Sequence, residues 1–299
     1  MRAGADLDAW FGGGERVRLT AGNSGSAELF CQVAGSGPWL TLVHGFPMCS
    51  WDWAGVADLL SANHRLLMPD LLGYGDSDKP PGHQYTLVEQ ADWLEAVWRH
   101  YGIDETHLVA SDIGGSVVQE LLARERAGLL HVRIGRSVLL NGALYQSRAR
   151  PRLMQRLLAT PGIGDVAVRL INKRNFTRTL AAAFSAAHPL PADTADAYWF
   201  ALRRRSPSVH VHRLLSYIPE RAQHQARWEG ALEHSTIPLA FVWGMSDPVS
   251  GAPMADHLRQ RLPSAEVVAL DDVGHYPHVE VPGQVGRALN RLLGSPDSA

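Results

Sequence analysis

The chain has few cysteines, no large net charge and no long apolar run. Cys31 and Cys49 stand in unrelated contexts, which gives neither a disulfide framework nor a metal-ligand spacing, so a reducing cytoplasm is the expected location. The net charge of −2 over 299 residues gives no indication of nucleic-acid binding. No stretch approaches ~20 apolar residues, and residues 1–14 lack a basic segment followed by an apolar run, so we expect neither a membrane span nor a signal peptide.

Short apolar runs that end in turn residues recur along the chain. Their length is typical of strands buried on both faces. The runs are WLTLVHG (39–45), HRLLMPD (64–70), THLVAS (106–111), RSVLLNG (136–142), IPLAFVWG (237–244) and EVVAL (266–270). Helical patterns separate them, as in the segment where Leu87, Leu94 and Trp98 share a face and Gly102 follows as the cap. The alternation predicts an α/β fold with a mostly parallel, doubly wound sheet, and ligands bind beyond the carboxyl ends of such strands.

The middle of the chain departs from this rhythm. Residues 142–233 contain helical pieces but no strand-like run, so we expect a core over 1–141, an inserted helical cap over 142–233 and the rest of the core over 234–299. The cap segment holds 14 Lys and Arg against 6 Asp and Glu, a net charge of +8. Solvated helix faces would explain this excess, and so would a basic cap over an acidic core, which would favour anionic ligands.

A sharp turn is predicted at Asp112, in the segment HLVASDIGGSVVQELLAR. Small residues stand two before and two after it, at Ala110 and Gly114, as in the nucleophile elbow G-x-S-x-G, with aspartate in place of serine. A serine at the tip would be Ser111, whose corresponding neighbours are Val109 and Ile113, both too bulky. A helix N-cap would explain the acid, but not the small residues around it.

Two further groups complete a catalytic triad. Asp247 follows a strand in WGMSDPVS, and His275 lies in the loop after the last strand, which gives the chain order nucleophile, acid, histidine. In HGFP, after the first buried strand, the backbone N–H of Phe46 is a candidate oxyanion-hole donor together with that of Ile113. His278 is interpreted as structural, and one His-x-x-His without a third ligand predicts no metal.

Several of these motifs together resemble one family. HGFP followed by tryptophan, DLLGYGDSDKP, SDIGG, WGMSDP and GHYPHVE are similar to the α/β-hydrolase fold superfamily, and within it to the epoxide hydrolase and haloalkane dehalogenase branch, which uses an aspartate nucleophile. The subgroup they resemble most is that of the mesoderm-specific transcript proteins and their bacterial relatives. The resemblance implies a cofactor-independent hydrolase with a small-molecule substrate, either monomeric or homodimeric.

An aspartate nucleophile suits saturated carbon. A carboxylate is already charged at neutral pH, since its ordinary pKa is ~3.9. Attack on an acyl group would give a labile anhydride, whereas displacement at sp3 carbon gives a stable alkyl ester on Asp112. His275, oriented by Asp247, would then activate the water that hydrolyses the ester.

The leaving group decides the substrate class. An epoxide leaves as an alkoxide and needs an acid, for which the resemblance implies the cap tyrosine Tyr217, with Tyr145 and Tyr198 as alternatives. A halide needs N–H donors, usually from a tryptophan directly after the nucleophile, and Ile113 offers no side-chain donor. The missing tryptophan at position 113 counts against a dehalogenase. It is also a departure from epoxide hydrolases, for which the resemblance implies an aromatic residue at the same position.

Other readings stay open at this point. Trp51 and Trp53 either line the pocket or anchor the first core helix. Besides epoxide opening, the alternatives are haloalkane dehalogenation, another reaction in the same pocket (ester or thioester cleavage, or a biosynthetic rearrangement), and a ligand-binding scaffold without turnover. The complete set of three triad residues argues against the scaffold.

Overall fold

One eight-stranded sheet forms the centre of the protein, in the order β1-β2-β4-β3-β5-β6-β7-β8. The computed structural model describes residues 7–148, 168, 171–205 and 211–294. The pairs β1/β2 and β2/β4 are antiparallel and the others are parallel, which confirms the predicted mostly parallel sheet. The strands are β1 (Glu15–Thr20), β2 (Ser26–Ala34), β3 (Trp39–Val43), β4 (Arg65–Pro69), β5 (Glu105–Ser111), β6 (Arg133–Leu140), β7 (Leu239–Gly244) and β8 (Glu266–Leu270).

The sequence analysis did not identify β1 and β2. β1 alternates exposed residues with the buried Val17 and Leu19, the period-two pattern of a strand with one solvated face. It lies at the edge of the sheet, where such a pattern is stable. β2 is paired on both sides, but Glu28 and Gln32 interrupt its apolar residues, so it lacks the continuous apolar run of the other inner strands.

Helices cover both faces of the sheet, and their bounds follow in chain order. They are α1 (Leu7–Gly13), α2 (Ala54–Ser61), α3 (Leu87–His100), α4 (Ile113–Arg126), α5 (Lys173–Ala181), α6 (Ala192–Arg203), α7 (Val211–Leu214), α8 (Tyr217–Gln223), α9 (Gln225–Glu233), α10 (Ala252–Arg261), α11 (Pro277–Glu280) and α12 (Pro282–Leu293). Apolar residues of α3, α4 and α10 pack in one core cluster, and those of α2 and α12 pack in another. The fold is therefore the doubly wound α/β architecture that the sequence predicts. Among the described residues, no helix is long and apolar enough to span a bilayer.

The described elements between β6 and β7 are helical, in line with an inserted cap. The predicted bounds of 142–233 stay a prediction, and cap helices expected within 149–167, 169–170 and 206–210 lie outside the described residues. Asn172 caps α5 by accepting a hydrogen bond from the Asn175 N–H at 3.0 Å. Such a cap satisfies one of the free amides at a helix start.

Charged contacts attach the cap to the core. Glu120 of α4 is buried and accepts hydrogen bonds from Arg227 and from the Trp228 indole at 2.8 Å, besides Arg124 of its own helix. Burial would raise the pKa of Glu120, but these donors, Arg227 first, hold it below the ordinary value. The carboxylate therefore stays charged and fixes α9 against α4.

Replacing Glu120 by Gln should lower the free energy of unfolding by about 2 kcal/mol, because it removes the buried charge to which Arg124, Arg227 and the Trp228 indole donate. Equilibrium unfolding in urea measures the change. The matched control is Glu266→Gln, which removes the half-exposed partner of Arg291 and should cost less than about 1 kcal/mol. Equal losses in the two variants would contradict the role assigned to Glu120.

Candidate active site

The turn between β5 and α4 holds its aspartate in a strained backbone conformation. Asp112 has φ 50° and ψ −117°, which non-glycine residues rarely adopt. A Cβ at Gly114 would lie 2.5 Å from the Val43 carbonyl oxygen, and a Cβ at Gly45 would lie 2.8 Å from the Asp112 Cβ. The small residue predicted after the turn is thus required by the close approach of β3 and its following loop. Ser111 is the last residue of β5 and is fully buried.

The three predicted triad residues meet beyond the carboxyl ends of β5, β7 and β8. The His275 Nδ1–H donates to Asp247 Oδ2 at 2.8 Å, and His275 Nε2 lies 3.6 Å from Asp112 Oδ1. All three are almost fully buried, with exposures of 6% for Asp112, 7% for Asp247 and 4% for His275. The imidazole therefore stands between two carboxylates that water barely reaches.

Asp247 is held by several donors besides the histidine. Its Oδ2 accepts hydrogen bonds from Ser250 Oγ at 2.6 Å and Asn141 Nδ2 at 2.9 Å, and its Oδ1 accepts one from the Val249 N–H at 2.7 Å. Burial would raise the pKa of Asp247, but the charge of His275 and these hydrogen bonds lower it to about 2. Asp247 is thus a fixed anion that orients the imidazole.

Asn141 is a positioning residue that the sequence analysis did not identify. Its side chain donates to Asp247 Oδ2 and to the Gly244 carbonyl, and accepts from the Gly244 N–H at 2.6 Å. Its own carbonyl accepts from the Asp112 N–H at 2.8 Å. A polar residue at the end of a buried strand, next to the strand that carries the nucleophile, is the pattern by which it could have been found.

The charges of neighbouring groups set the protonation of His275 and Asp112. Burial would lower the pKa of His275, but Asp247 and Asp112 outweigh it and raise it to about 10. Burial would likewise raise the pKa of Asp112, but the hydrogen bond and charge of His275, followed by Arg221 and the Phe46 N–H, lower it. The resting site therefore holds an imidazolium between two ionised carboxylates.

The loop after β3 supplies the predicted oxyanion donor. The Phe46 N–H donates to Asp112 Oδ2 at 3.0 Å. Ile113 is the first residue of α4, so its N–H has no acceptor within the helix. The loop is supported from two sides: Tyr276 donates from its hydroxyl to the Phe46 carbonyl at 3.0 Å, and His44 accepts the Leu71 N–H at 3.0 Å. His44 thus shapes the turn, as its sequence context indicates.

The three predicted tyrosines lie in different surroundings. Tyr217 is buried, its ring lies 5.9 Å from that of Phe46, and burial followed by the Asp112 charge raises its pKa. Tyr145 instead packs against His257 of α10, with 4.6 Å between the rings. Tyr198 packs on Trp51 at 5.2 Å, and after burial the Asp52 carboxyl raises its pKa. Tyr217 is therefore the predicted acid that the fold brings beside Asp112.

The two tryptophans predicted near the pocket also lie in different surroundings. Trp53 is fully buried and stacks on His278 at 4.3 Å, so it anchors α2 in the core. Burial lowers the pKa of His278 to about 3, so this imidazole is neutral and belongs to the core. Trp51 lies in the cluster that joins the loop after β3 to cap residues such as Leu180. In the part of the chain that the structure describes, no three His, Cys, Asp or Glu side chains are grouped to hold a metal ion.

Comparisons with known proteins agree with this geometry. A family model described as the alpha/beta hydrolase fold matches residues 38–282. LipZ of Mycobacterium tuberculosis is 42% identical over 259 residues, covering 87% of this chain and 89% of LipZ. The human mesoderm-specific transcript homolog protein is 37% identical over 260 residues, covering 84% of this chain and 77% of the human protein.

Solved structures of an epoxide hydrolase and of haloalkane dehalogenases share the fold. The haloalkane dehalogenase DatA of Agrobacterium tumefaciens has a TM-score of 0.77 at 22% identity, with 98% of each chain covered. The family model and these relatives confirm the predicted superfamily and the resemblance to the mesoderm-specific transcript proteins, and the solved structures confirm the fold.

Replacing Asn141 by Asp should place a second carboxylate against Asp247, where the amide now donates at 2.9 Å. Two such carboxylates share one proton and one pKa rises strongly. We expect the variant to lose about 3 kcal/mol of unfolding free energy at pH 8, and to lose less at pH 5, where the shared proton is bound. Urea unfolding at both pH values measures this. Asn141→Ala is the control, since its loss should not vary with pH.

Proposed function

Because the chain belongs to the alpha/beta hydrolase fold family, we propose that it opens epoxides, or acts on a related electrophilic sp3 carbon, through an alkyl ester on Asp112. The observation that supports the proposal most directly is that the two oxygens of the Asp112 carboxylate have different partners. Oδ2 accepts the Phe46 N–H, while Oδ1 faces His275. One oxygen is thus available to attack, and the other lies where charge develops when the ester is hydrolysed.

In the first half-reaction Asp112 Oδ1 attacks the carbon and the ring carbon–oxygen bond breaks. The electron pair goes to the ring oxygen, which needs a proton. Tyr217 keeps its phenolic proton at neutral pH because burial and the Asp112 charge raise its pKa, so it is suited to donate to this oxygen. Its position favours an epoxide over a halide, whose departure needs no proton.

In the second half-reaction His275 acts as the base. Once Asp112 is an ester, its negative charge no longer raises the pKa of His275. Burial still lowers that pKa, and only Asp247 still raises it. The imidazolium therefore loses its proton, which restores the phenol of Tyr217. The neutral imidazole then takes a proton from water, whose oxygen attacks the ester carbonyl while the Phe46 N–H stabilises the oxyanion. When the intermediate collapses, the bond between the Asp112 carbonyl carbon and the substrate oxygen breaks, the new carboxyl proton goes to that oxygen, and the proton from water stays on His275, which restores the resting imidazolium and carboxylate. Such a donor contributes roughly 3 kcal/mol.

The geometry supports the rival reactions less. A serine at the turn would be needed for ordinary ester cleavage, and Asp112 would form an anhydride there. For a dehalogenase, Ile113 provides no side-chain donor to a halide. We therefore retain epoxide opening as the proposed reaction, with no cofactor.

Replacing His275 by Gln should trap the ester. Incubation with a panel of aliphatic and aromatic epoxides should add the mass of one substrate to the peptide that bears Asp112, because attack remains possible and water activation does not. Mass spectrometry of the digested protein measures the adduct.

Asp112→Ala is the control in the wild-type and His275→Gln backgrounds. Turnover that survives it belongs to another site or to a contaminant. An unmodified peptide with every epoxide that the wild type consumes would refute the covalent mechanism.

The ester should accumulate as the pH falls. Ester formation needs an ionised Asp112, whose pKa lies below the ordinary value, so this step persists in mild acid. Ester hydrolysis needs a neutral His275, and its rate should fall about tenfold per pH unit below the pKa of the esterified enzyme. Acid quench during turnover at pH 5 and pH 8, with mass spectrometry of the Asp112 peptide, measures the esterified fraction. A fraction that is larger at pH 8 would contradict the assigned base.

A further inference from the structure

A cap arginine lies beside the nucleophile without being used by the proposed reaction. Arg221 of α8 is 9% exposed. Its Nε–H donates to Ser116 Oγ at 2.9 Å, and its guanidinium carbon lies 4.8 Å from the centre of the Tyr217 ring. Ser116 is fully buried and follows Asp112 by four residues on α4, which is one helical turn. Arg221 and Tyr217 thus lie together near Asp112, whose charge interacts with both.

The segment that carries Arg221 is fixed on both sides. Glu220 accepts the N–H groups of Leu87 and Val88 at 2.7 and 3.1 Å, which joins α8 to the start of α3. Glu120 binds Arg227 and Trp228 of the next helix. The backbone of α8 is therefore positioned by contacts other than Arg221, and the guanidinium is held inside by its own bond to Ser116.

One donor of this guanidinium has no partner. Arg221 Nη2 is buried and makes no hydrogen bond, whereas three more exposed cap cations have an acidic partner: Arg204 has Asp76, Arg205 has Asp78 and Lys173 has Asp196. Leaving a buried cationic donor unpaired is costly. The charge of Arg221 nevertheless reaches the site, because it helps to lower the pKa of Asp112.

We propose that Arg221 binds a carboxylate of the substrate, so that the substrates are small organic acids whose electrophilic carbon lies within a few bonds of that carboxylate, such as 2,3-epoxy acids. The part concerning the electrophilic carbon rests on the proposed function; the part concerning the carboxylate does not. Guanidinium donors match carboxylate oxygens in charge and geometry. Such a substrate would otherwise be repelled by Asp112, and Arg221 offsets that repulsion.

The four ionised groups near the nucleophile sum to zero, since the charges of Asp112 and Asp247 are balanced by those of the His275 imidazolium and Arg221. A substrate carboxylate bound at Arg221 therefore adds its negative charge next to a cation and to a site without net negative charge. The walls near Arg221 are aromatic, from Tyr217 and Phe46, so the remainder of the substrate is apolar. The overall excess of basic residues in the cap segment, 14 against 6 acidic, acts in the same direction.

The binding test uses phenylacetate and phenylacetamide, which have no leaving group. Calorimetric titration of the wild-type protein should show the acid binding about 10- to 100-fold more tightly than the amide. Arg221→Gln should remove that ratio, and Arg221→Lys should keep part of it. Arg213→Gln is the matched control, since this cap arginine donates to the Gly82 carbonyl at the surface and should leave the ratio unchanged.

The turnover test compares 3-phenylglycidate with its amide. The wild type should show a kcat/KM about 10- to 100-fold higher for the acid, lost in Arg221→Gln mainly through KM, while retained turnover of the amide shows that the variant is folded. Equal binding of the acid and the amide by the wild type would overturn the inference, even if the variant failed to fold. So would an Arg221→Gln variant that keeps the binding ratio and loses kcat for both epoxides, which would assign Arg221 to the leaving oxygen.

Failure of the proposed function gives a different result. In that case the carboxylate preference in binding persists and depends on Arg221, but no epoxide is consumed and no ester forms on Asp112 in His275→Gln. The two ideas therefore stand or fall on separate measurements.

Discussion

The alternation of charge along Asp112, His275 and Asp247 is the interaction on which the site depends. Each of the three is more than nine-tenths buried, and an isolated charge in that position would be strongly unfavourable. The imidazolium between two carboxylates allows all three to stay ionised. The imidazolium also explains why the charge of Asp112 is tolerated at a strained, buried turn.

The same charge balance bears on the proposed reaction. Ester formation on Asp112 would remove one of the two anions that keep His275 protonated. The imidazolium of the resting site would then become the neutral base that the second half-reaction needs. Asn141 stabilises this arrangement, because it bonds to Asp247 through its side chain and to Asp112 through its backbone.

The cap contributes through a small number of buried or half-buried ions. Three of the basic residues described there pair with acids of the core: Arg204 with Asp76, Arg205 with Asp78 and Arg227 with Glu120. These ion pairs help to attach the cap to the core. Tyr217 and Arg221 stand one helical turn apart on α8, with the guanidinium carbon 4.8 Å from the centre of the phenol ring. A single short helix thus places a phenol and a cation near Asp112, whose charge interacts with both.

The sequence by itself determined the six strands β3 to β8, their carboxyl ends and the order of the predicted triad along the chain. These follow from local rules: buried strands are continuous apolar runs, and groups at the carboxyl ends of neighbouring parallel strands must meet. Only the tertiary structure decided which tyrosine faces Asp112, that Trp53 stacks on His278 in the core, and that Arg221 is buried beside the nucleophile while Arg227 pairs with Glu120. Helical periodicity defines a face of a cap helix, but the direction of that face is set by packing against distant residues such as Glu120 and Leu87, which no local pattern encodes.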